Sequence, residues 1–468
     1  MTLNQLLVFT TLALIAAPFF NSRWRGWTLM IGSVAAIYWL QPSTPIRNLD
    51  FWLPTATLGL TVLVWSLTRE KEQENGPRAD LIAGIVLLVT VLAIAAMRFL
   101  PFQITPSRPP QLYQVLIALV VLAAIGLILW RTASGKALSL NIGVASILLL
   151  FIVLKSHPLA ENASAAIRGL TGQSTDLANA FDIRWLGFSY VAFRLLHTLR
   201  DRLSGRLPNV SLRDFTTYVI FFPAFTAGPI DRVERFIGDL ENDFRLDASQ
   251  TILGLKRIAI GVLMKFVVAD SLALFALDPN NVFQTESTTW MWVLLYSYSL
   301  RIFFDFAGYT HIAIGIANLL SIQLPENFDR PYLKANLTAF WNSWHMTLAQ
   351  WFRAYYFNPL TRWLRGRGWS ITAIILIGQL TTMALIGLWH GVTWNFLIWG
   401  LWHGLGLFLH NRWADFAKSR ITISNQAIAN IGGALLTFHF VVLGWLWFAL
   451  PELEQSLYAL GILFGGGV

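Results

Sequence analysis

Long apolar blocks separated by short polar stretches recur from one end of this chain to the other. The first five are Leu6 to Phe20, Phe51 to Leu67, Leu81 to Leu100, Leu112 to Trp130 and Leu138 to Leu154. Several approach the ~20 residues that a helix needs to cross a bilayer. The pattern predicts an all-α fold, a polytopic transmembrane helical bundle with roughly 10 to 13 spanning helices. Leu6 to Phe20 has no basic region before it and no convincing small-residue cleavage site, so it reads as a retained first span and not as a signal peptide.

The character of the blocks changes near Asn141. Before it they are rich in Leu, Val, Ile and Ala and carry almost no ionisable residues, as lipid-facing scaffold does. After it Pro, Gly, His, Asp and Asn interrupt stretches that a smooth span would keep apolar. Non-helical backbone at membrane depth persists only where protein buries it or where it lines a wet cavity. The pattern therefore divides the chain into residues 1–140, read as additional N-terminal helices, and residues 141–468, which should contain the cavity. In the latter, Pro223, Gly228 and Pro229 within Phe221 to Phe236 predict a broken or re-entrant helix whose freed backbone faces a substrate path. The plainer alternative is a helix that ends at the interface with Asp231 and Arg232 solvated.

Composition sharpens the membrane reading. Of 468 residues, 55% are hydrophobic and only 13% charged, far from the balance of a soluble domain. The net charge of +9 is spread over short loops, which suits a bilayer and not nucleic acid. Cytoplasmic loops favour Lys and Arg, and the richer alternate loops hold Arg23 and Arg25; Arg69, Lys71 and Arg78; Arg131 and Lys136; then Arg200, Arg202, Arg206 and Arg213. Placing these inside puts the N-terminus outside, in a multi-pass protein of the inner (cytoplasmic) membrane. The chain has no cysteine, which excludes disulfides, thiolate metal sites and a cysteine-linked acyl-enzyme.

Two histidines stand out, His345 in WNSWHMTLAQW and His390 in IGLWHGVTWN. An imidazole in hydrocarbon is costly unless it has a partner or meets water, so such groups are functional candidates. From Asn336 onward the pattern is that of an amphipathic helix with Phe340, Trp344, Leu348 and Trp351 on its apolar side. On that reading alone His345 could be an idle interfacial residue. Gly387 and Gly391 bracket His390 and let backbone approach closely. His403 lies in the similar string GLWHG, and spacing does not separate it from His390; His410, beside Arg412, reads as interfacial. Arg301 and Asp305 stand four residues apart and can pair on one helix face, Asp305 as an orienting carboxylate and His311 as a core histidine. A neutral imidazole can take a proton from a hydroxyl near neutral pH. With no phosphate-binding loop, metal box or nucleotide fingerprint in the sequence, transfer of an acyl group to a hydroxyl is the simplest chemistry these residues support.

FFPAFTAGPIDRVERF, FFDFAGYTHIAIGIANLL, LPENFDRPY, FWNSWHMTLAQWFRAYYFNPL, GLWHGVTWNFLIWGLWHG and FVVLGWLWFALPELEQSLYAL together resemble the membrane-bound O-acyltransferase family, in particular its bacterial branch of alginate O-acetylation and D-alanyl transfer to teichoic acid. The resemblance covers Asn141 to Val468. It implies that His345 and His390 are the two signature histidines, which sets His390 apart from His403. It also implies a bundle with a central tunnel, reached by an acyl donor from the cytoplasmic side and a hydroxyl acceptor from the outer side. His390 is then the candidate general base, with His345 polarising or orienting the reactants. Asp305, Asn327, Trp344, Trp389 and Asn395, inside the same motifs, are the substrate-binding candidates. No bound cofactor or metal is expected. The co-substrate is an acyl thioester, either acyl-CoA or an acyl carrier protein. The acceptor is an extracytoplasmic glycan or a partner acyltransferase, and D-alanyl transfer to a teichoic-acid-like polymer is the alternative. A transporter or flippase also uses broken helices and midplane charges, but the chain shows no inverted repeat and few intramembrane acids.

Overall fold

The computed structural model describes residues 2–16, 22–69, 76–242, 247–420 and 425–466. Every regular element among them is helical. The chain forms two units, one of Met1–Ile258 with Ile312–Leu324, the other of Ala259–His311 with Pro325–Val468. The last residues of the Leu6 to Phe20 block lie outside the described residues, as does Lys71.

In the first unit the helices are α1 (Leu3–Ala16), α2 (Ser22–Leu40), α3 (Leu49–Thr68), α4 (Gly76–Ala96), α5 (Leu112–Ala133), α6 (Ala137–Lys155) and α7 (His157–Leu170), followed by α8 (Phe188–Leu203), α9 (Leu212–Ile220) and α10 (Val233–Glu241). Met30, Val34 and Tyr38 recur every fourth residue on α2 and are fully buried, because that spacing puts them on one helical face. Both α2 and α3 pack against α9. Tyr38 and Thr55 share a hydrogen bond of 2.7 Å between α2 and α3, and the Trp65 indole donates to the Val210 carbonyl at 3.0 Å. Most of α3 is buried, whereas only 11% of the spanning window of α5 and of α6 is covered. The smooth apolar surfaces of α5 and α6 suit lipid contact; α3, long and apolar enough to span but less apolar than either, is core.

Two arginines counted as loop charges in the sequence do other work. Arg25 is 1% exposed and donates to the carbonyls of Asp239, Asn242, Leu320 and Ser321 at 2.8 to 3.2 Å. Arg69 is buried against Asp80 at 2.9 Å. Each neutralises local polar groups within the protein, so neither is a free charge for orienting the chain.

The helix predicted to break after Phe221 does break. Past α9 the chain makes a short 3₁₀ turn, Phe222–Ala224, and re-enters a helix only at α10. The freed carbonyls of Val219 and Ala224 are taken by the buried Arg194 guanidinium at 2.7 and 3.0 Å. Asp231 is not solvated: it is 4% exposed and paired with Arg235 at 2.5 Å.

The remaining helices are α11 (Ala248–Val262), α12 (Asp270–Ala273), α13 (Thr288–Leu319), α14 (Leu337–Trp341), α15 (Met346–Phe352), α16 (Asn358–Gly366), α17 (Ile371–His390), α18 (Trp394–Arg420), α19 (Gln426–Ala449) and α20 (Leu453–Leu463). Wide π turns join α11 to α12 at Leu263–Ala269 and α15 to α16 at Arg353–Phe357. Such subdivision lowers the number of long spans. Seven helices among the described residues are long and apolar enough to cross a membrane, against the roughly 10 to 13 expected.

The second unit is organised around a hairpin of α17 and α18. A Cβ at Gly387 would lie 2.1 Å from the Phe396 carbonyl oxygen, and one at Gly400 would lie 2.4 Å from that of Met383. Only glycine lets the two backbones lie this close. Beside the hairpin, Trp399 stacks on Trp445 at 5.8 Å and Trp445 packs at a tilt against Trp344 at 5.0 Å, while the Trp445 indole donates to the Tyr332 hydroxyl at 3.1 Å. These rings are the core against which both signature segments are set.

Candidate active site

The amphipathic helix expected from Asn336 is interrupted at the candidate residue His345. Asn336 caps α14, its side chain accepting from the Ala339 amide at 2.8 Å. After Trp341 the chain turns, and His345 caps α15 with φ 42° and ψ 52°. The left-handed region costs a residue with a Cβ about 1–3 kcal/mol and persists where surrounding structure imposes it. Here the segment after Pro325 imposes it. The Asp329 amide donates to the Ser343 carbonyl and the Met346 amide to the Asn327 carbonyl, both at 3.0 Å. His345 is 3% exposed, and neither ring nitrogen has a hydrogen-bond partner among the described residues. Its ring meets Phe306 edge-on at 4.7 Å and Trp389 at 6.1 Å.

His390 is the last residue of α17, at the tip of the hairpin, where Gly391 to Thr393 turn the chain. The half-buried imidazole is ringed by Trp389 at 4.4 Å, Phe448 at 4.6 Å, and Phe396 and Trp399 at 5.7 Å. Trp389 therefore touches both histidines. Phe306 and Phe448 complete the walls; neither is distinguished in sequence from the many other phenylalanines.

The other candidates occupy four different settings. Trp344 is packed among Phe303, Phe328, Phe340 and Trp445 in the aromatic core. Asn395 lies within hydrogen-bond reach of the carbonyls of Leu450 and Glu452 and the Ser456 hydroxyl through its Nδ2, tying the start of α18 to the α19–α20 junction. Asp305 pairs with Lys265 on the π turn after α11, and not with Arg301, which stands one turn away on its own helix. A lone lysine in the apolar run Leu263–Ala269 was the available signal for that partner. Asn327 is fully buried beside the His345 turn.

His403 differs from both candidate histidines, His345 and His390. It is fully buried in a box of Phe340, Trp341, Trp399 and Phe440, with no partner on either ring nitrogen among the described residues. A cavity of about 200 Å³ opens between α14, α15, α17 and α18. Its lining includes Trp341, Arg353, Gln379, Thr382, Ile386 and Asn411. Ile386 is one turn before His390, and Ala349, also in the lining, is one turn after His345. The cavity thus approaches the two histidines along the helices that carry them. No group of three or more His, Asp or Glu side chains among the described residues could hold a metal ion.

The chain is 32% identical over 273 residues to the teichoic acid D-alanyltransferase of Bacillus subtilis (strain 168), covering 56% of this chain and 68% of that protein. It is 34% identical over 255 residues to the peptidoglycan O-acetyltransferase of Helicobacter pylori, covering 54% of this chain and 46% of the relative. To the probable alginate O-acetylase AlgI of Pseudomonas putida it is 30% identical over 284 residues, covering 60% and 56%. The chain spans between about half and two thirds of the length of these relatives. The family described as MBOAT, membrane-bound O-acyltransferase, matches residues 2–450, taking in the N-terminal helices as well as the motif-bearing segments. A match through almost the whole length, on a chain whose described residues form only helices and include seven membrane-spanning candidates, means that this protein belongs to the membrane-bound O-acyltransferase family.

Proposed function

We propose that this protein transfers an acyl group, acetyl in the first instance, from a thioester to a hydroxyl of an envelope polysaccharide. The observation that carries the reading is the contact of both His345 and His390 with the Trp389 indole. His390 takes the proton of the acceptor hydroxyl, and the oxygen attacks the thioester carbonyl. The tetrahedral adduct collapses with cleavage of the carbon–sulfur bond, and the thiolate leaves with the proton held by His390. His345 donates to the carbonyl oxygen, where charge develops. Wall residues of the kind seen here, indole and phenyl rings, exclude water that would hydrolyse the thioester.

The cavity beside Arg353, Gln379 and Thr382 is the entry for one reactant, the donor being acyl-CoA or an acyl-loaded carrier protein. Asp305, Asn327, Trp344 and Asn395 support the pocket around the reactants. Residues 141–468 carry the chemistry, residues 1–140 supply supporting helices, and the protein resides in the cytoplasmic membrane with the acceptor outside. D-alanyl transfer to a teichoic-acid-like polymer is the second reading, favoured by the similarity to the Bacillus subtilis D-alanyltransferase. The chemistry is the same and the acyl group differs.

The test is thioester turnover by the purified protein in lipid nanodiscs, with labelled acetyl and D-alanyl donors and soluble glycan acceptors. Label should move to an alkali-labile ester on the acceptor in the parent and not in His390→Ala. Turnover that persists unchanged in His390→Ala overturns the mechanism. Transport of glycan with no ester formed would replace it by a flippase.

A further inference from the structure

The break at His345 is held by a second segment of chain. In an uninterrupted helix the Met346 and Thr347 amides would donate to the carbonyls of Asn342 and Ser343, four residues back. Here the Met346 amide donates to the Asn327 carbonyl at 3.0 Å, and the Thr347 amide and hydroxyl donate to Asn327 Oδ1 at 3.3 and 2.6 Å. The Ser343 carbonyl, which the continuous helix would need, is already taken by the Asp329 amide at 3.0 Å. Asn327 therefore supplies the acceptors that the first amides of α15 lack, and its neighbour blocks the competing acceptor. Both actions favour the broken form, in which His345 has φ 42°.

The amide of Asn327 has one possible orientation. A backbone N–H can only donate, so Oδ1 faces Thr347 and Nδ2 points away. Asn327 is fully buried, and that Nδ2 has no partner among the described residues.

We propose that Asn327, acting with Thr347, is a positioning residue that locks the left-handed backbone at His345 and so sets the direction of its imidazole. The proposal rests on the reading of His345 as part of the acyl-transfer site. Without the lock, α14 and α15 fuse through a right-handed His345, or the turn frays. Either way the ring leaves its place between Phe306 and Trp389, and the Asp329 amide loses its acceptor or its fixed distance from it.

Two measurements on the full chain in nanodiscs decide this. The first needs no activity: hydrogen–deuterium exchange of the peptide that contains the Asp329 amide. Exchange should be slow in the parent and in Thr347→Ser, and faster in Asn327→Leu and Thr347→Val. The second is the kinetics of acetyl-thioester turnover. A misplaced reacting group costs about 100-fold in rate, so Asn327→Leu should lower kcat by about that factor, Thr347→Val by roughly 10-fold and Thr347→Ser by less than ~2-fold, with KM for the thioester little changed. Parent-like exchange in Asn327→Leu overturns the lock. If Asn327→Leu does not fold, Thr347→Val against Thr347→Ser decides: equal exchange in both overturns the lock, and faster exchange in the valine variant alone supports it. Full kcat in Asn327→Leu despite faster exchange also overturns it. A parent that turns over no thioester refutes the proposed function, while the exchange measurement still judges the lock.

Discussion

At the scale of single residues, three buried or half-buried imidazoles have different consequences when removed. General acid–base catalysis contributes about 10²- to 10⁴-fold, so His390→Ala should lower the turnover of thioester by at least two orders of magnitude while the thermal midpoint in detergent stays near that of the parent. His345→Ala should lose activity to a similar degree. His403→Ala should behave in the opposite sense. It empties a box of four aromatic rings, and large-to-small core changes of that kind cost about 3 kcal/mol. Its thermal midpoint should fall while the protein that remains folded keeps most of its turnover. A dead but thermally unaltered His403→Ala would reassign the base. The motif GLWHG occurs twice, so its letters alone do not order His390 and His403. The surroundings do, because His390 is at a half-buried hairpin tip and His403 is sealed inside the ring cluster.

At the scale of elements, the α17–α18 hairpin depends on close backbone approach. A Cβ at Gly400 would meet the Met383 carbonyl oxygen at 2.4 Å and the Ala384 Cα at 2.8 Å. Both are backbone atoms that cannot swing aside. Overpacking of this kind costs about 1–3 kcal/mol, so Gly400→Ala should lower the thermal midpoint and, by tilting the helix that ends in His390, lower kcat as well. The connection between α7 and α8 is held electrostatically. Burial alone would raise the Asp182 carboxyl, but hydrogen bonds from Ser164, Arg168 and the Asn179 amide, with the Arg168 charge, bring it below the ordinary aspartate range. A depressed folded-state value means that the unfolded segment binds protons more readily. The stabilisation is therefore complete above the ordinary aspartate pKa of about 3.9 and is lost as pH falls from there through the lowered value. Limited proteolysis of residues 171–187 should accelerate below about pH 4 in the parent, and Asp182→Asn should be cut readily already at pH 7. An equal rate at pH 3 and pH 7 in the parent would show that the ion pair does not hold this loop.

At the scale of the whole molecule, the proposed reaction brings an acyl donor and a hydroxyl acceptor from opposite faces of a membrane to one pair of histidines. Asn342, beside the His345 turn, and Thr393, in the His390 hairpin turn, are both exposed in the structure. The native chain has no cysteine, so single cysteines at these positions report cleanly. In sealed vesicles an impermeant thiol reagent should modify Asn342→Cys from one face and Thr393→Cys from the other. Protection of both from both faces, in active protein, would mean that reactants enter laterally from the bilayer.

Much of this was legible in the linear chain because it depends on composition and local order. Apolar blocks of membrane-spanning length specify helices, since backbone polar groups in lipid must be satisfied internally. The prolines and glycine after Phe221 specify a break, and two histidines in tryptophan-rich motifs mark the candidate chemistry. Other features depend on residues far apart in sequence. Arg25 and Arg69 read as loop charges but are buried against carbonyls and a carboxylate that folding brings to them. Asp305 chooses Lys265 over the arginine four residues away, because proximity along one helix does not outweigh a direct contact from another. Asn336 to Trp351 has the apolar spacing of one helix, and spacing cannot reveal that Asn327 and Asp329 occupy the hydrogen bonds which would continue it. Composition and apolar spacing suffice for an all-helical membrane chain and mark His345 and His390 as candidates, but not for the number or the breaks of the helices. Only the tertiary structure places His345 at a strained left-handed break with its ring against Trp389, which also contacts His390, because only long-range hydrogen bonds and ring packing can hold a conformation that local preference opposes.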